Sequence, residues 1–306
     1  MRSRRKGYLG ILGTLILWSW AVIFIKILAS YFDPITQNFY RYSSAALALT
    51  IISASLSNTR KHVRLKITWT LIVPAVMVFL YQIFTVYGIY MTEATIAALL
   101  MRTNVIFTNA MSFLLFEEER RLIGTRKFML GLLIAFIGII GVTLRDSHDI
   151  GALTIDLGAL MVLLGTIFWA SYTVSVKISL READPLILTT IVFSLASLFF
   201  LPVTLLLGDI GLVMKVSPDV NLMLIGSGIL CVGIGNFLNY IAIMELGVAV
   251  TASLQLMTPL LTGVFSYMVM GERLTEMDLL FGGLLLLGCG MIIRQTTLQE
   301  EGDYGD

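Results

Sequence analysis

Charge is what this chain has least of. Only 13% of its 306 residues are Asp, Glu, Lys or Arg, and its mean hydropathy is +0.89. An average soluble domain carries about 25% charged residues, so this chain lacks the polar surface such a domain needs and reads as a polytopic membrane protein. The net charge of +1 offers no basic excess for nucleic acid. Cysteine is scarce as well. Cys231 and Cys289 lie in separate apolar runs, where each reads as a small packing residue, and no disulfide framework follows. His62 and His148 stand in separate polar loops with no neighbours at ligand spacing, so no metal centre is expected and no cofactor is implied.

Carboxylates are missing where a proton relay would need them. Glu93, Asp156 and Glu245 all fall at the ends of apolar runs, and no Asp, Glu or His lies near the middle of one. Relays in membrane carriers use buried groups of these kinds, so facilitated diffusion or exchange is favoured over proton coupling.

What the chain has instead is apolar runs of near twenty residues, the length of a membrane-spanning helix. They are continuous, whereas barrel strands would alternate apolar and polar residues over shorter segments. Ten are predicted, at 8–29, 35–56, 68–90, 94–116, 127–144, 155–179, 186–207, 220–243, 248–270 and 277–293. The first follows Arg2, Arg4, Arg5 and Lys6 as a signal peptide would, but it is long, contains Lys26 and lacks a small-residue cleavage site, so it is expected to stay. With the N-terminus inside, fourteen of the 21 lysines and arginines fall on the cytoplasmic side. Only Arg145, Lys215 and Arg273 then fall outside, which places both termini in the cytoplasm.

The two halves repeat. Trp18, Lys26 and Asp33-Pro34 recur at an offset of 151 as Trp169, Lys177 and Asp184-Pro185. Asn104, Thr108 and Glu118 recur at 154 as Thr258, Thr262 and Glu272. A five-helix unit, residues 1–150, is thus followed by a second copy, residues 151–306, which ends in a short cytoplasmic tail. Because five is odd, the second copy crosses the membrane in the opposite sense, as in many secondary transporters.

These residues, with Arg41, the acidic junctions at Glu118 and Glu272 and the glycine-rich fifth and tenth helices, resemble the EamA domains of the drug/metabolite transporter superfamily. The resemblance covers nearly the whole chain as two copies. It implies an all-α protein of ten transmembrane helices arranged as two inverted repeats. It also implies a central cavity between the halves and transport of small metabolites by alternating access. One departure is that Val192 stands where the first copy has Arg41, which makes any shared pocket chemically lopsided.

Candidate binding residues are the polar groups at mid-membrane depth. Arg102 lies in the middle of the run 94–116, on a predicted face with Thr95, Ala98 and Asn109, and Asn104 follows it. A guanidinium there costs at least about 3 kcal/mol unless it faces a bundle interior or water. The ninth helix carries a stripe of Thr251, Gln255, Thr258 and Thr262 beside Pro259, and the eighth presents Asn236, Asn239 and Tyr240 behind Gly233. Tyr81, Gln82, Thr85 and Tyr87 give the third helix polarity, and Trp18, Trp169 and Tyr172 add aromatic surface. Two readings stand for the Asn, Gln and Thr groups: cavity lining, or hydrogen bonds between helices. Lys26, Arg41 and Lys177 read as gate or vestibule residues, the two lysines alternatively as side chains that snorkel to the interface. Gly131, Ala135, Gly138 and Gly141, with Gly282, Gly283 and Gly290, read as close-packing positions.

The expected activity is carriage of a small metabolite with a carboxylate or other anionic group, amino-acid-like or organic-acid-like, because an arginine fork suits a carboxylate. The competing expectation is a carrier of neutral or cationic amphiphiles in which Arg102 is structural. An embedded enzyme would need a converging nucleophile and base, and a channel would need loops long enough for a filter; neither is visible. The partners expected are the bilayer, most simply a prokaryotic inner membrane, and a small-molecule substrate.

Overall fold

The protein is described by a computed structural model over residues 4–55, 69–92, 94–144, 156–270 and 276–303. Several residues of the charge bias and the junctions lie outside that set: Arg60, Lys61, Arg64, Lys66, Glu93, Arg145, Glu272 and Arg273, with His62 and His148. The side chain of Thr95 lies outside it too.

Among the described residues the regular structure is entirely helical. Helices α1 (Arg4–Leu28), α2 (Pro34–Ser55) and α3 (Trp69–Met91) open the chain. Numbered by the ten runs expected from the sequence, the fourth span is in two pieces, α4 (Ala94–Arg102) and α5 (Asn104–Leu115). After them come α6 (Glu117–Ile123), α7 (Arg126–Leu144), α8 (Leu157–Ser179), α9 (Pro185–Leu207) and the single turn α10 (Leu212–Lys215). The eighth span runs through α11 (Pro218–Ser227), a π-helical segment Gly228–Ile234 and α12 (Gly235–Leu246). The ninth comprises α13 (Val248–Leu254), a 3-10 turn Gln255–Met257 and α14 (Thr258–Met270), and α15 (Glu276–Asp303) closes the chain.

Eight of these stretches are long and apolar enough to cross a membrane, or nine if α6 and α7, which meet at 72°, form one span. Among the ten runs expected from the sequence, α2 has the length but not the apolarity, because Thr36, Gln37, Asn38 and Arg41 occupy its buried face.

The faces are reversed relative to a soluble bundle. Helix α1 buries Gly10, Thr14 and Ser19 while exposing Leu9, Leu12 and Ile16, and α9 buries Thr189 and Thr204 while exposing Leu198, Leu205 and Leu206. Leucine turned outward over whole helices is stable only in a non-aqueous surround, so this is an integral membrane protein.

Local chemistry sets the helix starts. In both halves an Asp-Pro pair opens the second helix of the repeat: Asp33 Oδ1 accepts from the backbone N–H of Ile35 (3.1 Å) and Thr36 (2.9 Å), and Asp184 Oδ1 accepts from Leu186 (2.8 Å). Aspartate satisfies orphan donors at the N-cap, and proline at the first helical position gives up an N–H that would have been unpaired anyway.

The chain divides into two compact units, Met1–Leu80 with Ser175–Glu245 and Tyr81–Val174 with Leu246–Asp306. In the first, α2 packs on α9 through Tyr42 against Phe193 (centroids 5.4 Å) and Phe200 (5.0 Å), with Ser43 and Ser197 hydroxyls 2.7 Å apart. Gly10 of α1 lies so close to α12 that a Cβ there would come within 2.8 Å of the Leu238 carbonyl oxygen.

In the second unit α7 packs on α15 at glycine distance. A Cβ at Gly138 would sit 2.6 Å from the Leu285 backbone nitrogen, and one at Gly131 2.9 Å from the Gly288 oxygen. Gly141 abuts the Phe281 ring, and Ala135 is fully buried beside Gly288. The close-packing expectation holds for these residues and for Gly282, which meets Leu260. It is corrected for Gly283 and Gly290, which have nothing within 4 Å of an added Cβ. Those two lie on the face of α15 turned away from α7, and Gly288 makes the close approach in their place.

Candidate binding site

The second unit gathers most of the expected binding residues around two helix breaks. The fourth span is not continuous, which corrects the single polar stripe expected through Arg102. At Thr103 both the backbone N–H (3.0 Å) and the hydroxyl (2.6 Å) bond back to the Leu100 carbonyl, three residues earlier. The backbone bond over three residues is 3-10 geometry and interrupts the α-helical ladder, and the hydroxyl shares its acceptor. Arg102 therefore ends α4, and Asn104 begins α5.

The ninth span breaks at the equivalent place for a different reason. Pro259 has no N–H for the Gln255 carbonyl, and its ring crowds that oxygen. The carbonyl is taken instead by Thr258 N–H, closing the 3-10 turn Gln255–Met257. With the repeat offset of 154, Thr103 corresponds to Met257 and Asn104 to Thr258. The stripe expected through Thr251, Gln255, Thr258 and Thr262 is likewise interrupted. Gln255 is 9% exposed in the turn, and Thr258 is half-buried.

Around the first break, Arg102 is half-buried, and its buried Nε has no hydrogen-bond acceptor among the described residues. The Tyr81 hydroxyl lies within electrostatic range of this guanidinium. Tyr81 belongs to an aromatic run, its ring 4.8 Å from Trp169, which is 5.2 Å from Tyr172. Asn104 and Gln82 are half-buried in the same unit, Gln82 with a partner, and Asn109 donates to the Val105 carbonyl (2.8 Å) and the Ser253 hydroxyl (3.4 Å). Thr103 and Thr166 hydroxyls stand 3.4 Å apart, and Thr85 is pressed against Gly165. Neither Thr103 nor Thr166 was singled out by sequence, since a lone threonine in an apolar run looks like any other.

The remaining candidates belong to the first unit. Asn239 and Tyr240 are fully buried; Asn236 is nearly so and donates to the Val232 carbonyl at 2.8 Å within its own helix. Trp18 is half-buried beside Gly235. Arg41, expected in a vestibule, is only 4% exposed and packs at the π-helical segment, where a Cβ on Gly228 would meet its backbone. Its Nε, too, lacks an acceptor among the described residues. The two lysines part company: Lys26 is exposed, as a snorkelling side chain would be, whereas Lys177 is 6% exposed with a partner, which corrects the snorkelling expectation for it.

A buried carboxylate went unread in the sequence. Glu119 in α6 is 5% exposed, and its two oxygens accept from the backbone N–H groups of Val248 (2.7 Å) and Ala249 (2.8 Å) at the start of α13. Glu118, the acidic junction residue singled out beside it, is exposed. In the run EEERR all three glutamates look equally solvated, so composition gives no signal for the one that turns inward.

A search of known families matches the model of the EamA-like transporter family twice, over residues 5–144 and 156–294. The chain belongs to the EamA-like transporter family. It is therefore a membrane transporter and not an enzyme. Similar proteins include an "uncharacterized transporter" of Archaeoglobus fulgidus, 22% identical over 263 residues, covering 85% of this chain and 88% of that one. Another, of Methanothermobacter thermautotrophicus, is 24% identical over 302 residues, covering 92% and 84%. The Bacillus subtilis "uncharacterized transporter YyaM" is 26% identical over 182 residues, 59% of this chain and 58% of its own. A crystal structure of a protein with 15% identity matches at a TM-score of 0.77 over 95% of this chain and 98% of that one, a likeness of fold alone.

Proposed function

We propose that this transporter is an alternating-access carrier for a small anionic metabolite, amino-acid-like or organic-acid-like, whose carboxylate pairs with Arg102. The observation that carries the proposal is a guanidinium within a spanning segment whose buried Nε has no acceptor among the described residues. Leaving such a group unpaired is expensive in a bilayer, and a bound anion would remove the cost. The helix break reinforces this. The C-terminal end of α4 favours the cation, while the first turn of α5, beginning at Asn104, directs partial positive charge toward an anion. Tyr81, Trp169 and Tyr172 would line the apolar part of the substrate, and Gln255 and Thr258 would border the second break. Asn236, Asn239, Tyr240 and Trp18 are proposed as further substrate-binding residues, with Lys26, Arg41 and Lys177 as gating cations. Ten spans in two inverted repeats, both termini cytoplasmic, and exchange or facilitated diffusion in a prokaryotic inner membrane complete the proposal.

A second reading rests on the aromatic run. Three rings in series, with Trp169 about 5 Å from Tyr81 and from Tyr172, would also suit a cationic amphiphile, with Arg102 structural. Counterflow in proteoliposomes across anionic, neutral and cationic solutes, measured with thermal stability of the empty protein, separates the two. Arg102→Gln should leave a folded protein whose affinity for the transported anion falls at least a hundredfold, since breaking a buried charge pair costs roughly 3 to 5 kcal/mol. Arg102→Lys should recover part of it. A stable Arg102→Gln transporter with unchanged affinity for every anionic solute carried by the parent would defeat the proposal.

A further inference from the structure

The geometry points to a binding site for an anionic phospholipid along α5 and α7, separate from Arg102 and independent of what the transporter carries. A groove of about 670 Å³ is lined there by Ala110 and Phe113 of α5 and by Met129 and Leu133 of α7, and it reaches Ile123 and Gly124 at the α6–α7 turn. All four lining residues named on α5 and α7 are exposed, on segments apolar enough to cross a membrane, so the groove opens toward hydrocarbon. An acyl chain suits such a lining. What would hold one particular lipid is the charge at the end of the groove.

From Arg120 to Lys127 the chain carries four cations and no carboxylate. Arg120 is already committed: its Nε and Nη2 donate to the Phe113 (2.9 Å) and Leu114 (3.0 Å) carbonyls, closing the end of α5, and its guanidinium lies over the Phe113 ring. Arg121, Arg126 and Lys127 are exposed and make no side-chain hydrogen bond or ion pair among the described residues. Of the nearby acids, Glu119 is turned inward onto the α13 backbone, and Glu117 and Glu118 stand in the first turn of α6, one turn before Arg121, which leaves Arg126 and Lys127 with no acid beside them in sequence. Three cations within three residues of the groove's end at Ile123 and Gly124 match a lipid phosphate with one chain below it. A basic pocket beside spanning helices is a recognised form of lipid head-group site.

The test uses the full-length transporter in detergent, delipidated and titrated with dioleoylphosphatidylglycerol or dioleoylphosphatidylcholine, with retention read by native mass spectrometry and stability by thermal unfolding. The anionic lipid should bind at least tenfold more tightly than the zwitterionic one. The combined Arg121→Gln, Arg126→Gln and Lys127→Gln change should weaken phosphatidylglycerol about a hundredfold, near fivefold per cation, and leave phosphatidylcholine unchanged. Ala110→Trp, which fills the groove from an exposed position, should weaken both lipids without lowering the melting temperature of the delipidated protein. Equal retention of the two lipids by the parent would mean ordinary boundary lipid and overturn the proposal. So would unchanged phosphatidylglycerol binding in Ala110→Trp, or a delipidated dimer that this substitution dissociates, which would assign the groove to a second copy. If the triple variant fails to fold, the head-group preference of the parent and the Ala110→Trp result still decide.

Discussion

Glu119 is the side chain whose removal should reveal most about how the second unit is held. Its carboxylate receives two backbone N–H groups at the start of α13, and Gly247, just before that helix, has φ +88. A Cβ at Gly247 would stand 2.9 Å from Glu119 Oε1, so the left-handed glycine both starts the helix and makes room for its cap. In Glu119→Ala the two N–H groups lose their acceptor in a buried setting. Each buried donor left unsatisfied costs about 1–3 kcal/mol, which puts the loss for two at roughly 2–6 kcal/mol. Glu119→Gln keeps one acceptor oxygen but turns an amide N–H₂ toward the other backbone donor and removes the charge at a helix N-terminus. Its loss should fall between those of Glu119→Ala and the parent, near 1–3 kcal/mol. Glu117→Ala, an exposed position in the same turn, should stay within about 0.5 kcal/mol of the parent. Thermal unfolding of the four proteins in one detergent should therefore rank Glu119→Ala lowest, Glu119→Gln next, and Glu117→Ala level with the parent. Equal stability of Glu119→Ala and Glu117→Ala would refute the cap as an energetic feature.

Three other outcomes are expected. Gly138→Ala should lose about 1–3 kcal/mol, because its Cβ meets only the backbone of α15, whereas Gly283→Ala, with nothing within 4 Å, should be neutral or gain up to about 1 kcal/mol from helix propensity; paired melting curves check this. Asp209, in the segment after α9, has its pKa held below the ordinary 3.8, first by the Lys215 hydrogen bond (2.9 Å). A depressed carboxylate stabilises above its unfolded pKa and loses that contribution as pH falls through the folded value, so Asp209→Asn should flatten the acid limb of a stability profile below about pH 4 without changing its shape near neutrality. Cysteines placed at Ser57 or Asn58 should react with a membrane-impermeant thiol reagent only from the cytoplasmic side and one at Ser147 only from outside; the reverse pattern would overturn the proposed orientation.

The sequence announced the helices and their starts because those depend on local features. Runs of near twenty apolar residues fix where a span can lie, and Asp33-Pro34 and Asp184-Pro185 carry their own capping chemistry. It was less informative where two pieces of chain compete for the same group. The interruption at Thr103 shows in the sequence only as a threonine, a residue whose hydroxyl bonds back three residues in the unbroken α8 as well, at Thr166. Periodicity alone therefore drew a continuous stripe through Arg102. The π-helical segment Gly228–Ile234 has no signal beyond its glycines, and which glycines of α15 touch α7 depends on helix phase, not on glycine content. Nor does the sequence show the burial of Lys177 in α8 or of Glu119, which the start of α13, far along the chain, draws inward.

The two helix breaks share a position in the repeat but not their side chains. In the first repeat a threonine stands at the interruption, and in the second a proline follows it, yet both fall at the same position of the repeat. In the proposed carrier, the recurrence of a break at this position in both copies would be a requirement of the substrate site. A discontinuous span exposes backbone N–H and C=O groups that a continuous helix would consume, and substrates bind where such groups face a cavity. The side chains around the breaks do not share that symmetry. Arg102, one residue before the first break, corresponds to Leu256 in the second repeat, and Arg41 corresponds to Val192, so each cation occurs in only one copy. In the proposed carrier the backbone would supply equivalent openings in both repeats, while charge recognition of the substrate would rest on the first repeat alone. Leu256→Arg should then disturb substrate selection without restoring what Arg102→Gln removes.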